Sequence, residues 1–222
     1  MNSDLLPLIL QGTGETLYMI ILATVASLVI GLPLGVILVV TERGHIMESS
    51  QLNKVLGTII NIVRSFPQII LIVVLLPLAR LIVGTSLGST AAIVPLAIGS
   101  APFLARVIES SLKEVENGKV EAAQAVGARP FEVIGKVLIP EALPSLIRGT
   151  TLAIIAITGF TAIAGAIGAG GLGSLAIRFG YMRYRDDVMY STVIILIIMI
   201  QGAQLGGELL AKRIDKRRHK LG

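Results

Sequence analysis

The sequence contains no cysteine and only two histidines, and these shortages exclude several kinds of site. Without cysteine, neither a disulfide framework nor a cysteine metal site can form. The histidines, His45 and His219, have no neighbouring acid or hydroxyl arrangement that suggests catalysis, and two histidines make no metal cluster. The phosphate-binding pattern G-x-x-x-x-G-K-[ST] does not occur either. We therefore expect no metal site, no bound nucleotide and no enzyme activity in this chain.

Charged residues are also scarce, at 15% of the 222 residues, whereas hydrophobic residues make up 54% and the mean hydropathy is +0.84. A soluble domain is roughly 45–50% apolar. This composition indicates a membrane protein. The first apolar run is too long for the core of a signal peptide, so we expect it to remain in the mature protein.

Five apolar segments have about the length that an α-helix needs to cross a bilayer. They are residues 16–40, 66–83, 91–112, 147–167 and 188–210. Strands of a lipid-facing barrel would alternate apolar and polar residues, and runs such as VIILIIMI do not. The sequence therefore predicts an all-α membrane protein with five transmembrane helices.

The distribution of lysine and arginine predicts the orientation, because basic residues near span ends stay on the cytoplasmic side. With the N-terminus outside, the outer connections hold only Arg80, Arg178, Arg183 and Arg185 of the 19 basic residues. The other fifteen then fall on the cytoplasmic side, together with the C-terminus. The basic tail KRIDKRRHK, residues 212–220, fits an anchor held by anionic lipid rather than a nucleic-acid site.

The stretch VEAAQAVGARPFEVIGKVLIPEAL, residues 120–143, interrupts the apolar pattern with charges and prolines. Residues 120–126 favour a helix, Gly127 suits its C′ position, and Pro130 can open a second helix. Glu132 falls in the first turn of that helix, and Pro140 is expected to end it. The sequence therefore predicts two short cytoplasmic helices under the bundle, within a loop at 113–146.

The residues alone leave two interpretations of this loop open. Its small-residue surface suits insertion into a groove on a partner, whereas an ordinary hairpin at the membrane surface is expected to carry a Leu-rich or aromatic face. The spacing is informative: Glu121-Ala122-Ala123, three residues, Gly127, nine residues, then VLIP ending at Pro140. This pattern resembles the EAA loop, EAA-x3-G-x9-I-x-L-P, of permease subunits in binding-protein-dependent ABC importers.

In that family the EAA loop is the coupling helix that docks into a cleft of a cytoplasmic ATPase. The resemblance implies ATPase coupling through Glu121, Ala122, Ala123, Gly127 and Pro140. It also implies several partners: two copies of an ATP-binding subunit that binds the ATP and Mg, a second copy of this chain, an extracytoplasmic substrate-binding protein and membrane lipids, without nucleic acid. We expect one transmembrane permease domain over residues 1–222, located in the plasma (inner) membrane.

The resemblance extends over nearly the whole chain. The segments NIVRSFPQIILIVVLLPLAR, LIPEALPSLIRGTT and GFTAIAGAIGAGGLGSLAIRFGYMRY are similar to permease subunits of methionine importers, a five-span branch of the family. Import of D- or L-methionine by alternating access is the function this implies, although Arg178, Arg183 and Arg185 depart from the pattern. The alternatives are another small amino acid or an osmoprotectant, an ion-coupled secondary transporter, and a structural scaffold.

Span 147–167 is the predicted translocation pathway, because it has few charges and combines apolar with small polar side chains. Its candidate residues are Thr158, Phe160, Thr161 and Ile163. The resemblance places Phe160 and Ile163 where the family narrows the path.

Two glycine patterns have less specific meanings. Residues 168–173 fit G-x-G-x-x-G, but a dinucleotide site requires a preceding strand and a βαβ unit, and here the motif follows a membrane span. Gly31 with Gly35, and Gly202 with Gly206, make G-x-x-x-G, which allows close helix approach either within one subunit or between two. Arg106 and Glu109, one helical turn apart, are expected to pair in a structural role.

Overall fold

The computed structural model describes residues 5–218, and within that range the chain is helical, with no β-strand. Residues 1–4 of the predicted outer N-terminus, and His219 and Lys220 of the predicted basic anchor, lie outside the described residues. The elements, in chain order, are α1 (Leu5–Val40), α2 (Ser50–Arg64), α3 (Gln68–Val74), α4 (Leu76–Val83), α5 (Ser89–Lys113), α6 (Asn117–Ala125), α7 (Pro130–Val133), π1 (Ile134–Leu138), α8 (Ile139–Ala164), π2 (Gly165–Ala169), α9 (Gly171–Leu175), π3 (Ala176–Tyr181) and α10 (Asp186–Arg218).

Within residues 5–218, four helical segments are long and apolar enough to cross a membrane: Leu5–Val40, Ser89–Lys113, Pro130–Ala169 and Asp186–Asp215. They contain the predicted spans 16–40, 91–112, 147–167 and 188–210. A fifth candidate arises only if α2 and α3, broken at residues 65–67, are counted as one span. The all-helical class is therefore confirmed, with four to five candidate spans.

The predicted continuous span at 66–83 is wrong, because α3 and α4 are separate short helices with Leu75 between them. Pro77 has no N–H to donate, and its ring opposes a carbonyl in the preceding turn, so the helical hydrogen bonds are interrupted here. Pro67 has a similar effect at the start of α3, where it is the N-cap residue.

The prediction that Pro140 ends the second loop helix is also wrong. The chain stays helical from α7 through π1 into α8, and Pro140 is the second residue of α8. Because Pro140 cannot donate, the turn before it widens, and the Ile139 N–H donates to the Ile134 carbonyl, five residues back. The second helix of the loop is therefore the beginning of a long span.

The described chain forms two compact units. The first comprises residues 5–27, 66–100 and 153–204, and the second comprises 28–65, 101–152 and 205–218. The core of the first unit gathers small and large apolar side chains: Met19, Ala23, Ile72, Ala92, Leu96, Ile157, Ala164 and Ala169. Small residues at these positions let the helices approach closely.

The second unit is built on close contact between α1 and α5. A Cβ added to Gly35 would stand 2.7 Å from the Ala105 carbonyl oxygen and 2.7 Å from Cγ2 of Ile108. Gly31 has a similar environment, with the Ala101 carbonyl oxygen at 3.0 Å. The first G-x-x-x-G pair therefore packs within one subunit. Gly202 and Gly206 on α10 differ, because no described atom of another element lies within 4 Å of the added Cβ.

Candidate coupling loop and translocation helix

The coupling loop begins with α6, which carries the predicted Glu121, Ala122 and Ala123. Val120 is buried, whereas Glu121 and Ala122 are exposed and Ala123 is half-buried. One residue thus anchors the helix while the predicted docking residues present most of their surface outward. Val126 and Phe131 add two large apolar side chains, 85% and 78% exposed.

Gly127 ends α6 as predicted. Its φ of +81° lies in the left-handed region, where a Cβ is unfavourable. The Gly127 N–H donates to the Gln124 carbonyl at 2.9 Å, and the Ala128 N–H donates to the Ala123 carbonyl at 3.1 Å. These two bonds are the Schellman arrangement that closes a helix C-terminus. Glycine is therefore required here by the backbone, and the turn between the two loop helices depends on it.

Glu132 caps the start of α7, where Pro130 opens the helix as predicted. The Arg129 N–H donates to Oε2 of Glu132 at 3.1 Å, and Nζ of Lys136 donates to Oε1 at 2.9 Å. Both contacts favour the charged form of the Glu132 carboxylate. The turn from α6 to α7 is thus fixed from both sides.

An ion pair connects the first loop helix to the long helix that follows the loop. Nζ of Lys119 on α6 lies 2.8 Å from Oε2 of Glu141 in the first turn of α8. Val133 of α7 and Leu138 of π1 are each only 1% exposed, so both segments are packed into the second unit. The loop helix α6 and the first turn of α8 are therefore in direct contact.

Beside α6, a cavity of about 280 Å³ lies between the coupling helix and the loop after α1. Glu121 and Gln124 line it from one side, and Glu42, His45 and Lys113 from the other. Burial lowers the pKa of His45; Glu42 opposes this shift and Lys113 reinforces it. Sequence reasoning found no function for His45, because nothing in the sequence places it beside the coupling helix.

The predicted pair Arg106–Glu109 is confirmed, with Nη1 2.7 Å from Oε2. Nη2 of Arg106 also donates to the Gly57 carbonyl at 3.1 Å and to the Asn61 side chain at 2.9 Å. Lys113 adds ion pairs to Glu109 at 3.1 Å and to Glu42 at 2.9 Å. These contacts join α2 and the loop after α1 to α5, which is a structural role.

The four candidate pathway residues all lie on α8. Thr158 and Thr161 are 3% and 1% exposed, and each hydroxyl donates to its own helix, to the Ile154 carbonyl at 2.8 Å and the Thr158 carbonyl at 2.7 Å. Phe160 and Ile163 are half-buried against the core of the first unit. The apolar pair thus shares one cluster, whereas the threonine hydroxyls already have partners.

One feature that sequence reasoning missed lies where α8 ends. Glu15 and Thr16 of α1 cap α9: Oε2 of Glu15 accepts from the Gly171 N–H at 2.7 Å, and the Thr16 hydroxyl accepts from the Leu172 N–H at 2.9 Å. The G-x-G-x-x-G segment is therefore a turn after a helix, with Gly168, Gly170 and Gly171 at positive φ. The available signal was Glu15, the only charged residue within α1.

These observations describe a helical protein with four to five candidate membrane spans and a loop whose helix α6 exposes Glu121 and Ala122. Residues 27–220 match the family model of the binding-protein-dependent transport system inner membrane component. The chain belongs to this family, as the resemblance predicted.

Two relatives are similar over almost their whole length. The probable D-methionine transport system permease protein MetI of Vibrio cholerae is 48% identical over 217 residues, which cover 98% of this chain and 95% of the relative. The methionine import system permease protein MetP of Bacillus subtilis is 45% identical over 207 residues, or 93% of each chain.

Solved structures give the same result. A chain of the MetNI methionine ABC transporter, solved in inward-facing conformations, superposes with a TM-score of 0.95 at 42% identity, covering 96% of this chain and 99% of that one. An amino acid ABC transporter solved with histidines has a TM-score of 0.70 at 23% identity, which shows a shared fold.

Proposed function

We propose that this chain is the permease subunit of an ATP-driven importer of methionine, D or L, across the inner membrane. The observation that carries the proposal is the 0.95 TM-score to a chain of a methionine ABC transporter, at 42% identity over nearly the full length of both chains. The relatives from Vibrio cholerae and Bacillus subtilis carry methionine in their names as well. A second candidate, another small amino acid or an osmoprotectant, is not favoured by these similarities.

The coupling loop at 113–146 supports docking of an ATPase. Its exposed face presents Glu121 and Ala122, flanked by the apolar side chains of Val126 and Phe131. An exposed apolar patch with a polar rim is typical of a protein interface. The Lys119–Glu141 contact then carries the movement of α6 to α8.

The proposed orientation has the N-terminus outside and the C-terminus in the cytoplasm. It is supported by the strong excess of basic residues on the side of the coupling loop. The whole chain then acts as one permease domain, with the G-x-G-x-x-G turn outside.

The proposed assembly contains two copies of this chain, two ATPase subunits and an external substrate-binding protein. The apolar window of α10 is only 11% buried within one subunit, so most of it is available to lipid or to a second copy. We assign ATP and Mg to the partner ATPase, because this sequence has no G-x-x-x-x-G-K-[ST]. The catalytic step is therefore outside this chain.

Thr158, Phe160, Thr161 and Ile163 remain the proposed pathway. Phe160 and Ile163 give an apolar surface suited to a thioether, and the half-burial of both leaves part of each side chain accessible. Alternating access would expose this part of α8 first to the outside and then to the cytoplasm.

The test is methionine uptake into liposomes that contain the permease and its ATPase. The binding protein is added on the outside, and ATP is supplied inside, where the ATPase is located. We expect uptake that requires ATP and is inhibited by unlabelled methionine. Stronger inhibition by another amino acid or by glycine betaine would favour the second candidate. Uptake driven by an ion gradient without ATP would contradict both.

A further inference from the structure

A cavity of about 400 Å³ lies in the first unit. Its lining includes no residue of the coupling loop and none of the four proposed pathway residues. Its walls are the start of α5 with Ser89, the glycine-rich π2 segment and Ser174 of α9. Two side chains of opposite charge, Glu15 and Arg178, complete the lining. The volume is within the roughly 300–1,000 Å³ typical of small-ligand sites.

Glu15 is held in position by its neighbours. Its Oε2 accepts from the Gly171 N–H at 2.7 Å, and its Oε1 accepts from the Gln11 side chain at 2.9 Å. A Cβ on Gly170 would stand 2.5 Å from Oε2 of Glu15, so a glycine is needed to leave room for the carboxylate. Since a carboxylate has about four acceptor positions, Glu15 can accept further hydrogen bonds from a ligand.

Arg178 supplies the opposite charge. It lies in π3, is exposed, and has no hydrogen-bond or ion-pair partner among the described residues. The guanidinium can form two parallel hydrogen bonds to a carboxylate. By contrast, Arg185 is paired with Asp187 at 2.6 Å, and Arg183 stacks on Phe179 at 4.8 Å.

The remaining wall is backbone and small side chains. Four residues of π2, Gly165, Ala166, Gly168 and Ala169, line the cavity together with Arg178 of π3. Ile167 and Gly168 within π2 have non-helical backbone angles, so this side of the cavity is a kinked turn. The wall leaves the cavity unfilled by large side chains.

We propose that this cavity binds the charged end of a zwitterionic amino acid, with Glu15 accepting hydrogen bonds from the α-ammonium group and Arg178 donating to the α-carboxylate. Ala166 and Ala169 offer a shallow apolar wall that does not select among side chains. The cavity is thus an entry site that binds the α-ammonium and α-carboxylate groups common to amino acids, while selection among side chains occurs elsewhere. This inference rests on the proposed function, including its orientation with the cavity outside.

The absence of cysteine makes a direct test possible. Ser89→Cys places one thiol in the cavity wall, and its modification by a membrane-impermeant thiol reagent is followed by mass spectrometry on the purified permease–ATPase complex. We expect methionine to slow the modification. Neither 3-(methylthio)propylamine, which lacks the carboxylate, nor 4-(methylthio)butanoate, which lacks the amine, should protect at the same concentration.

A second substitution, added to Ser89→Cys, tests whether each of the two charged side chains binds methionine. Glu15→Gln keeps an acceptor for the Gly171 N–H and removes only the charge, and Arg178→Gln removes the guanidinium. Each should raise the half-protecting methionine concentration about tenfold or more, the loss expected when one hydrogen bond to a charged group is removed. Arg183→Gln, in the same outer segment but outside the cavity lining, should leave it unchanged.

The outcomes separate this inference from the proposed function. If ATP-dependent methionine uptake proceeds but methionine never protects the thiol, the entry site is wrong and the proposed function stands. If Arg178→Gln instead releases the binding protein from the transporter without changing protection, Arg178 belongs to a docking surface and the inference is overturned. Equal protection by all three compounds would also contradict recognition of the two charges.

Discussion

Nζ of Lys119 lies 2.8 Å from Oε2 of Glu141, and this contact joins the coupling helix α6 to the first turn of α8. Both side chains are partly exposed, so the pair contributes only about 0–1 kcal/mol to stability. Its position matters more than its energy, because α8 continues to Thr158, Phe160, Thr161 and Ile163. We therefore propose that movement of α6 is passed to α8 through this contact.

Lys119→Ala should uncouple methionine transport from ATP hydrolysis without unfolding the protein. We expect fewer methionine molecules transported per ATP hydrolysed, with a thermal transition close to that of the unchanged protein. Lys212→Ala is the matched control, because Lys212 makes an exposed ion pair with Glu208 at 2.7 Å on α10. A transport-to-hydrolysis ratio that falls equally in both variants would remove the mechanical role of Lys119.

Gly127→Asp should prevent assembly with the ATPase while the chain still inserts into the membrane. The φ of +81° at Gly127 disfavours any residue with a Cβ, and the Schellman turn that positions α6 would distort. Gly118→Ala, within the helix that Gly127 terminates, is the control, because φ there is not positive and nothing lies within 4 Å of an added Cβ. Membrane fractionation and ATPase co-purification measure the two properties separately, and normal co-purification of the aspartate variant would contradict docking through this turn.

Ile163→Trp should block uptake without releasing the ATPase. The indole ring of tryptophan would fill the accessible side of α8 next to Phe160, whereas the coupling loop is unaltered. Leu81→Trp, at a side chain that is 83% exposed on α4, adds similar bulk outside the proposed pathway. Normal uptake by the Ile163 variant would remove this position from the pathway.

Gly35→Val should destabilise the subunit by about 1–3 kcal/mol, because even a Cβ would collide with the Ala105 carbonyl oxygen at 2.7 Å. Gly202→Val, in the second G-x-x-x-G pair, meets no described atom of another element within 4 Å and should change stability by less than about 0.5 kcal/mol. Thermal unfolding in detergent compares the two variants. Equal losses would contradict the different environments of the two pairs.

Acid should destabilise the loop after α1 through His45. Burial lowers the pKa of this imidazole below its ordinary 6.5, so the neutral form is favoured in the folded state. The resulting stability is complete above pH 6.5 and is lost as the pH falls through the lowered pKa. His45→Asn should therefore lose less thermal stability than the unchanged protein between about pH 8 and pH 5. If thermal stability falls equally with pH in the two proteins, His45 is not the source of the acid sensitivity.

The parts of the fold that sequence predicted well are those that depend on local composition. Apolar runs of sufficient length identified four of the long helices, and Gly127 and Pro130 marked the turn of the coupling loop through backbone preferences alone. The errors at residues 66–83 and Pro140 concern proline, whose effect depends on whether the neighbouring turn can widen.

Contacts between distant parts of the chain could not be read from the sequence. Glu15 and Gly171 are 156 positions apart, and no local pattern links an acid in an apolar helix to a glycine-rich turn. His45 beside the coupling helix is a similar case. Both became visible only when the helices were placed in space.

Whether this chain assembles with an ATPase can be measured by mild-detergent purification of the tagged protein from its native membrane, followed by mass spectrometry and an ATPase assay. We expect a stoichiometric ATPase subunit whose hydrolysis rate responds to methionine, and the loss of that subunit in Gly127→Asp. A stable protein that purifies without an ATPase would contradict the coupling role of residues 113–146.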